Sequence, residues 1–185
     1  HFLPEWQSIT SDRWVLQIVQ QGYNLPFLSY QPQFPLASEH LLEAHLSILL
    51  QKVQAPLAKR AIESVAALEV WTRYYSPYFL MLKKDGGLHP ILDLRPLNAF
   101  RGKGKLKIVT PPLVLSALDP GDRMVALYLQ GMYFHISVLQ SHRSYLRFKV
   151  GQEYFQRAGM AFGLTSVPWM FMKEMAVGML GIPCF

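Results

Sequence analysis

Residues 78–94 constrain the fold of this chain more than any other stretch. Tyr78–Leu82 and Pro90–Leu94 are short apolar runs on either side of Lys84-Asp85-Gly86-Gly87. Strands joined by so short a link pair antiparallel, because parallel strands need a crossover of a dozen or more residues. Around this hairpin the order is helix, hairpin, helix, strands, helix. That order predicts an α+β fold with an antiparallel sheet packed by helices, not a doubly wound parallel sheet.

The remaining elements follow from periodicity and punctuation. Residues 1–35, rich in Pro, Gln and aromatics, read as an extended N-terminal arm with one short helix at Asp12–Gln20. Ser38 opens a helix whose Leu42, Leu46, Leu49, Leu50 and Val53 recur at helical spacing, and Pro56 is expected to end it. Arg101–Lys107 reads as a loop, and Pro111 and Pro112 open a short helix through Leu118, stopped by Asp119-Pro120-Gly121-Asp122. Met124–Leu129 is nearly all apolar, which predicts a buried central strand. Tyr145, Arg147 and Lys149 alternate with Leu146, Phe148 and Val150, predicting a half-buried strand with a polar face. Gly151 turns the chain into a second strand near Tyr154–Ala158. Ser166 then caps a helix with Pro168 in its first turn, running to about Leu180.

With 185 residues, 51% of them apolar, the chain has the composition of a folded domain and not of a disordered one. No uncharged stretch reaches the roughly 20 apolar residues of a membrane helix, so no membrane partner is expected. The lone cysteine, Cys184, fits a reducing compartment, and the expected location is intracellular, cytoplasmic or nuclear. Charge is uneven: residues 71–110 hold eight basic and two acidic side chains, which equals the net +6 of the whole chain. Such a segment attracts a polyanion through salt-sensitive phosphate contacts; the plain alternative is a solvated basic loop.

Several chemistries are poorly supplied. The six histidines, at 1, 40, 45, 89, 135 and 142, form no i, i+4 pair and join no cysteine cluster. No GxSxG, GxxxxGK[ST] or GxGxxG occurs. Asp119 and Asp122 are the only close Asp pair, and their turn-forming neighbours Pro120 and Gly121 explain them structurally.

The run SPYFLMLKKDGGLHPILDLRPLN, followed by ALDPGDRMVALYLQGMYFHI, SYLRF and AFGLTSVPWMF, resembles the reverse transcriptase domain of DIRS-type retrotransposons. Domains of that family tend to read YFLVPKKDGGLRPILDLRxLN, then VALDLQDAYFHI, then LPFGLSTAPxxF. The similarity spans most of the chain, from about Phe2 to Phe185. It implies a polymerase-like right hand, with an arm at 1–35, a fingers-like region at 36–122 and a partial palm at 123–185. It also implies positions near a nucleotide: Lys83 and Lys84 beside the triphosphate, His89 where the family grips it with Arg, and Tyr133 beneath the sugar. Phe162 and Gly163 match the step beside nucleotide and template. Arg95 is implied as a structural or template-side contact, and Arg101, Lys103, Lys105 and Lys107 as further nucleic-acid contacts. Read without the family pattern, the two lysines are hairpin-turn residues and Tyr133 and Phe162 are core aromatics.

The departures bear on activity. Tyr128 stands where the family has its metal-binding Asp. A phenol, with a pKa of about 10, is uncharged near neutrality and offers no anionic oxygen to Mg²⁺. Asp122 lies six residues earlier, roughly 20 Å along a strand, and cannot substitute. Gly131 and Met132 replace a further Asp and Ala, and a mostly neutral His89 is a weak replacement for a bidentate guanidinium. The sequence starts at His1 and ends at GIPCF, where related elements continue to YLDD; the expectation is a truncated, degenerate fragment ending before the second carboxylate motif. The family's reaction is RNA-directed DNA polymerisation with two Mg²⁺ ions. For this chain the expectations are no intact catalytic residue, no metal site and no cofactor. The expected function is an inactive reverse-transcriptase-like domain, with a non-catalytic nucleic-acid-binding module and a translated retroelement relic without molecular function as the alternatives; RNA or an RNA–DNA hybrid is the partner that the resemblance implies.

Overall fold

Asp12 starts the second helix in the way its chemistry dictates: its carboxylate accepts the backbone N–H of Trp14 at 2.9 Å and of Val15 at 3.4 Å. The computed structural model describes residues 3–27, 43–72, 75–84, 86–100, 112, 116, 118–119, 121–123 and 131–180. Helix α1 spans Leu3–Ile9, α2 Arg13–Gln21 and α3 Glu43–Ala58. Strand β1 is Ile62–Ser64, followed by a 3₁₀ turn at Ala67–Thr72, then β2 Tyr78–Leu82, β3 Leu88–Leu92 and the short helix α4 Arg95–Asn98. Two 3₁₀ segments, Met132–His135 and Gln140–Leu146, precede β4 Arg147–Val150, β5 Glu153–Arg157 and helix α5 Val167–Leu180.

The class is α+β, as the element order implies. Among the described residues the strands form a three-stranded sheet in the order β1-β5-β4 and a separate hairpin β2-β3, all antiparallel. Helix α3 packs on strands of both sheets. Its Leu49 and Val53 join Leu92, Leu97, Phe148, Phe155, Met160 and Met170 in one buried cluster. Burial of these side chains from water drives the assembly, at about 1.5–3 kcal/mol for each fully buried large one. None of the described helices is long and apolar enough to cross a membrane.

Four expectations change. Leu3–Ile9 is helical, not part of an extended arm; Pro4 sits in its first turn, where no intrahelical N–H is needed. Pro56 lies inside α3 and does not end it. The end comes two residues later in a Schellman arrangement: Ala61 N–H donates to the Pro56 carbonyl, Arg60 N–H donates to that of Leu57, and Arg60 takes a left-handed φ of 55°. Strand β3 pairs two residues earlier than expected, with Leu82 opposite Leu88, so the turn is Lys83–Gly87. Pro90 is tolerated there because, among the described residues, this sheet has two strands and leaves each an unpaired edge.

The polar face expected at 145–150 is also corrected. Tyr145 and Leu146 belong to the 3₁₀ segment, and Arg147 is only 2% exposed. Its guanidinium ion-pairs with Glu69 at 2.7 Å, donates to the Glu69 carbonyl at 2.6 Å and reaches Gln156 at 3.2 Å. Gln156 also donates to Glu63, which pairs with Arg143. A charge buried this deeply needs such partners. The network ties β1, β4 and β5 to the 3₁₀ turn before β2.

The helix expected from Ser166 is present as α5, and Met170 N–H bonds to the Ser166 carbonyl at its start. The helix start at Ser38, the loop 101–107 and the central strand Met124–Leu129 lie outside the described residues, as does most of the helix expected at 111–118.

Candidate functional site

The hairpin tip is closed by backbone bonds: Lys83 N–H donates to the Gly87 carbonyl at 2.7 Å, and Gly86 N–H donates to that of Lys83 at 3.0 Å. Gly86 adopts φ 81°, a left-handed conformation that glycine takes without steric cost. Lys83, Lys84 and His89 are all exposed, with His89 opposite Met81. Met81 and Leu82 are exposed beside them, so the tip is cationic and apolar together.

Beyond β3 the chain enters α4 through a local ion pair. Arg95 grips Asp93 with Nε at 2.9 Å and Nη2 at 2.7 Å, while its own backbone N–H donates to the same carboxylate at 3.0 Å. These Arg95 hydrogen bonds hold the Asp93 carboxyl below its usual range. Arg95 is thus committed to a structural clasp. Its side chain is nonetheless 85% exposed, and Nη1 makes no bond to Asp93, so further N–H donors face solvent.

Three residues on, Asn98 makes the connection that matters most for the site. Its amide nitrogen donates to the Gly163 carbonyl at 2.6 Å, and its amide oxygen accepts from Thr165 N–H at 3.1 Å. One side chain therefore clasps LDLRPLN to the AFGLTS loop, more than sixty residues away in sequence. Gly163 has φ 94° and open space where a side chain would point.

On the other side of that loop, Tyr133 stands edge-to-face against Phe162 at 4.7 Å and Phe171 at 5.4 Å, and Phe134 meets Phe162 at 6.1 Å. Phe162 remains 56% exposed, so the cluster presents an aromatic surface to solvent. Gly159 holds its back: a Cβ there would lie 2.9 Å from the Phe134 carbonyl oxygen. Behind Phe134 the guanidinium of Arg157 sits 5.5 Å from that ring and 6.0 Å from the ring of Phe148. Its Nε and Nη1 are buried without a hydrogen-bond partner among the described residues, and cation–π contact with two rings partly offsets their lost hydration.

Of the residues singled out from sequence, Tyr133, Phe162 and Gly163 are thus brought together, with Asn98 added. Lys83, Lys84 and His89 stand on the hairpin that leads to Asn98. Tyr128, Arg101, Lys103, Lys105 and Lys107 lie outside the described residues. Sequence reasoning missed Asn98, Phe134, Phe171 and Arg157. Asn98 was visible inside the LDLRPLN run, but nothing local reveals a partner 65 residues on.

Among the described residues no three His, Cys, Asp or Glu converge, and Asp93 is held by Arg95. Neither a scan against protein-family models nor a search among curated proteins gives a match for this chain.

Two substitutions test this geometry. Asn98→Ala should cost about 1 kcal/mol in stability, because water replaces the partners of a part-exposed group. It should also speed amide hydrogen exchange at 163–165 selectively. Gly159→Ala should cost about 1–3 kcal/mol by overpacking against the Phe134 backbone, read as a lower melting temperature.

Proposed function

We propose that this chain is a reverse-transcriptase-like domain, fingers and the first part of a palm, whose polymerase chemistry has been lost. The observation that carries the reading is the clasp at Asn98 together with the Tyr133–Phe162 contact. Three motifs recognised separately in the sequence, LDLRPLN, MYFHI and AFGLTS, meet there. The hairpin bearing Lys83 and Lys84 at its tip runs into LDLRPLN, and exposed aromatic and cationic groups suit a nucleotide's base and phosphates.

The loss of chemistry is argued from Tyr128. Two-metal nucleotidyl transfer needs carboxylates to hold both ions against the attacking and leaving oxygens. A neutral phenol at this position offers none. The test is primer extension on an RNA template by the full chain with Mg²⁺ and all four deoxynucleoside triphosphates, with incorporation expected at background.

A second reading is favoured by the charge distribution: the domain retains single-stranded RNA or an RNA–DNA hybrid without reacting it. The whole net +6 falls within residues 71–110, and the two lysines at the hairpin tip are exposed. Retention of this kind is non-specific and weakens steeply with salt.

A further inference from the structure

A groove of about 460 Å³ runs between α2, the chain that follows it and the start of α5. Its walls include the indoles of Trp14 and Trp169 and the amide side chains of Gln17, Gln21 and Asn24, with Pro26 beside them. Gln17 and Gln21 are one helical turn apart and exposed, as is Asn24. The indoles meet edge-to-face at 5.5 Å, which fixes their orientation. Among the described residues no Asp, Glu, Lys or Arg lines the groove. Lys173, beside Trp14, is already placed: its ammonium lies 4.1 Å from the centre of the Trp14 ring and 3.8 Å from the Asp12 carboxylate.

This chemistry selects an uncharged ligand with a flat face and a hydrogen-bonding edge. We propose that the groove is a receptor for a single unstacked nucleobase. Indole gives a stacking surface that every base accepts, and amide side chains pair with base edges, donating and accepting at once. A volume of this size holds a base with its sugar. Assigning that base to a strand rests on the nucleic-acid reading above; the groove's fit to a base does not.

The test is indole fluorescence of the full chain, titrated with adenosine and, separately, with a single-stranded oligonucleotide and an abasic strand of the same length. Adenosine is expected to quench, and Trp169→Leu is expected to weaken it at least tenfold. Gln21→Glu, a surface change that leaves the fold intact, should do the same by setting a charge against the base edge. A base-bearing strand that binds about tenfold tighter than the abasic one, with the difference gone in both variants, would assign the base to a strand. Adenosine binding without strand binding keeps the receptor and removes the nucleic-acid reading. Two results overturn the receptor: no adenosine quenching together with no variant-sensitive base dependence, or quenching that both variants leave unchanged.

Discussion

Replacing Glu174 by Gln should stabilise the chain above pH 7 by on the order of 2–3 kcal/mol. Glu174 is 8% exposed on α5, and its Oε2 has no hydrogen-bond partner among the described residues. Burial pushes its carboxyl from an ordinary 4.5 up to about 7. The folded chain therefore holds this proton more tightly than the unfolded chain does. Stability from this group is complete below about pH 4.5, declines as pH rises towards 7, and stays reduced above it. The Glu174→Gln variant has no proton to lose at this position, so the loss of stability with rising pH over that window should disappear. Urea midpoints at pH 4.5, 6 and 8 measure the difference. A wild-type midpoint that does not fall relative to that of the variant across this range would contradict the burial.

His142 acts in the opposite sense at the acid side. Burial lowers its pKa from the ordinary 6.5, and its Nδ1 accepts the Leu25 N–H at 3.1 Å. Its contribution is present above pH 6.5 and is lost as pH falls through its lowered value. Residual acid sensitivity in the Glu174→Gln variant is expected from this group.

The second large effect concerns salt. If Lys83, Lys84, Arg101, Lys103, Lys105 and Lys107 each neutralise one phosphate of a single strand, affinity should drop about 300-fold between 50 and 200 mM salt. Reversing Lys83 and Lys84 to Glu removes two contacts and should reduce the slope of log affinity against log salt by about 1.4. Fluorescence polarisation of a labelled strand reads both quantities. A flat salt response, or no binding at the lower salt, would eliminate the nucleic-acid-binding reading. A broad, uncooperative thermal transition alongside absent binding would favour a retroelement relic with no molecular function.

Local signals were legible and long-range ones were not. The helix at Arg13–Gln21 follows from its Asp12 cap, and the hairpin from its glycines; both are written within a few residues. Strand β1, three residues without alternation, exists because β5 pairs with it, and nothing in IES announces that. Arg147 reads as surface until Glu69, 78 residues earlier, is seen to neutralise it. Pro56 has a rule that predicts a helix end, but the Schellman bonds two residues later override it. In the site, Tyr133, Phe162 and Gly163 were reachable only through family resemblance, whereas Asn98 required its partners. Glu174 did carry a local signal: it lies one and two turns from Met170 and Val167, both buried, on a helix rich in apolar residues.

Primer extension tests the central proposal most directly. The full chain, an RNA template, a labelled DNA primer, Mg²⁺ and four deoxynucleoside triphosphates should yield no product above the no-enzyme control, whether or not the template–primer binds. Template-dependent incorporation that disappears in Tyr128→Phe would contradict the account, because the phenol that should silence the site would then be part of it.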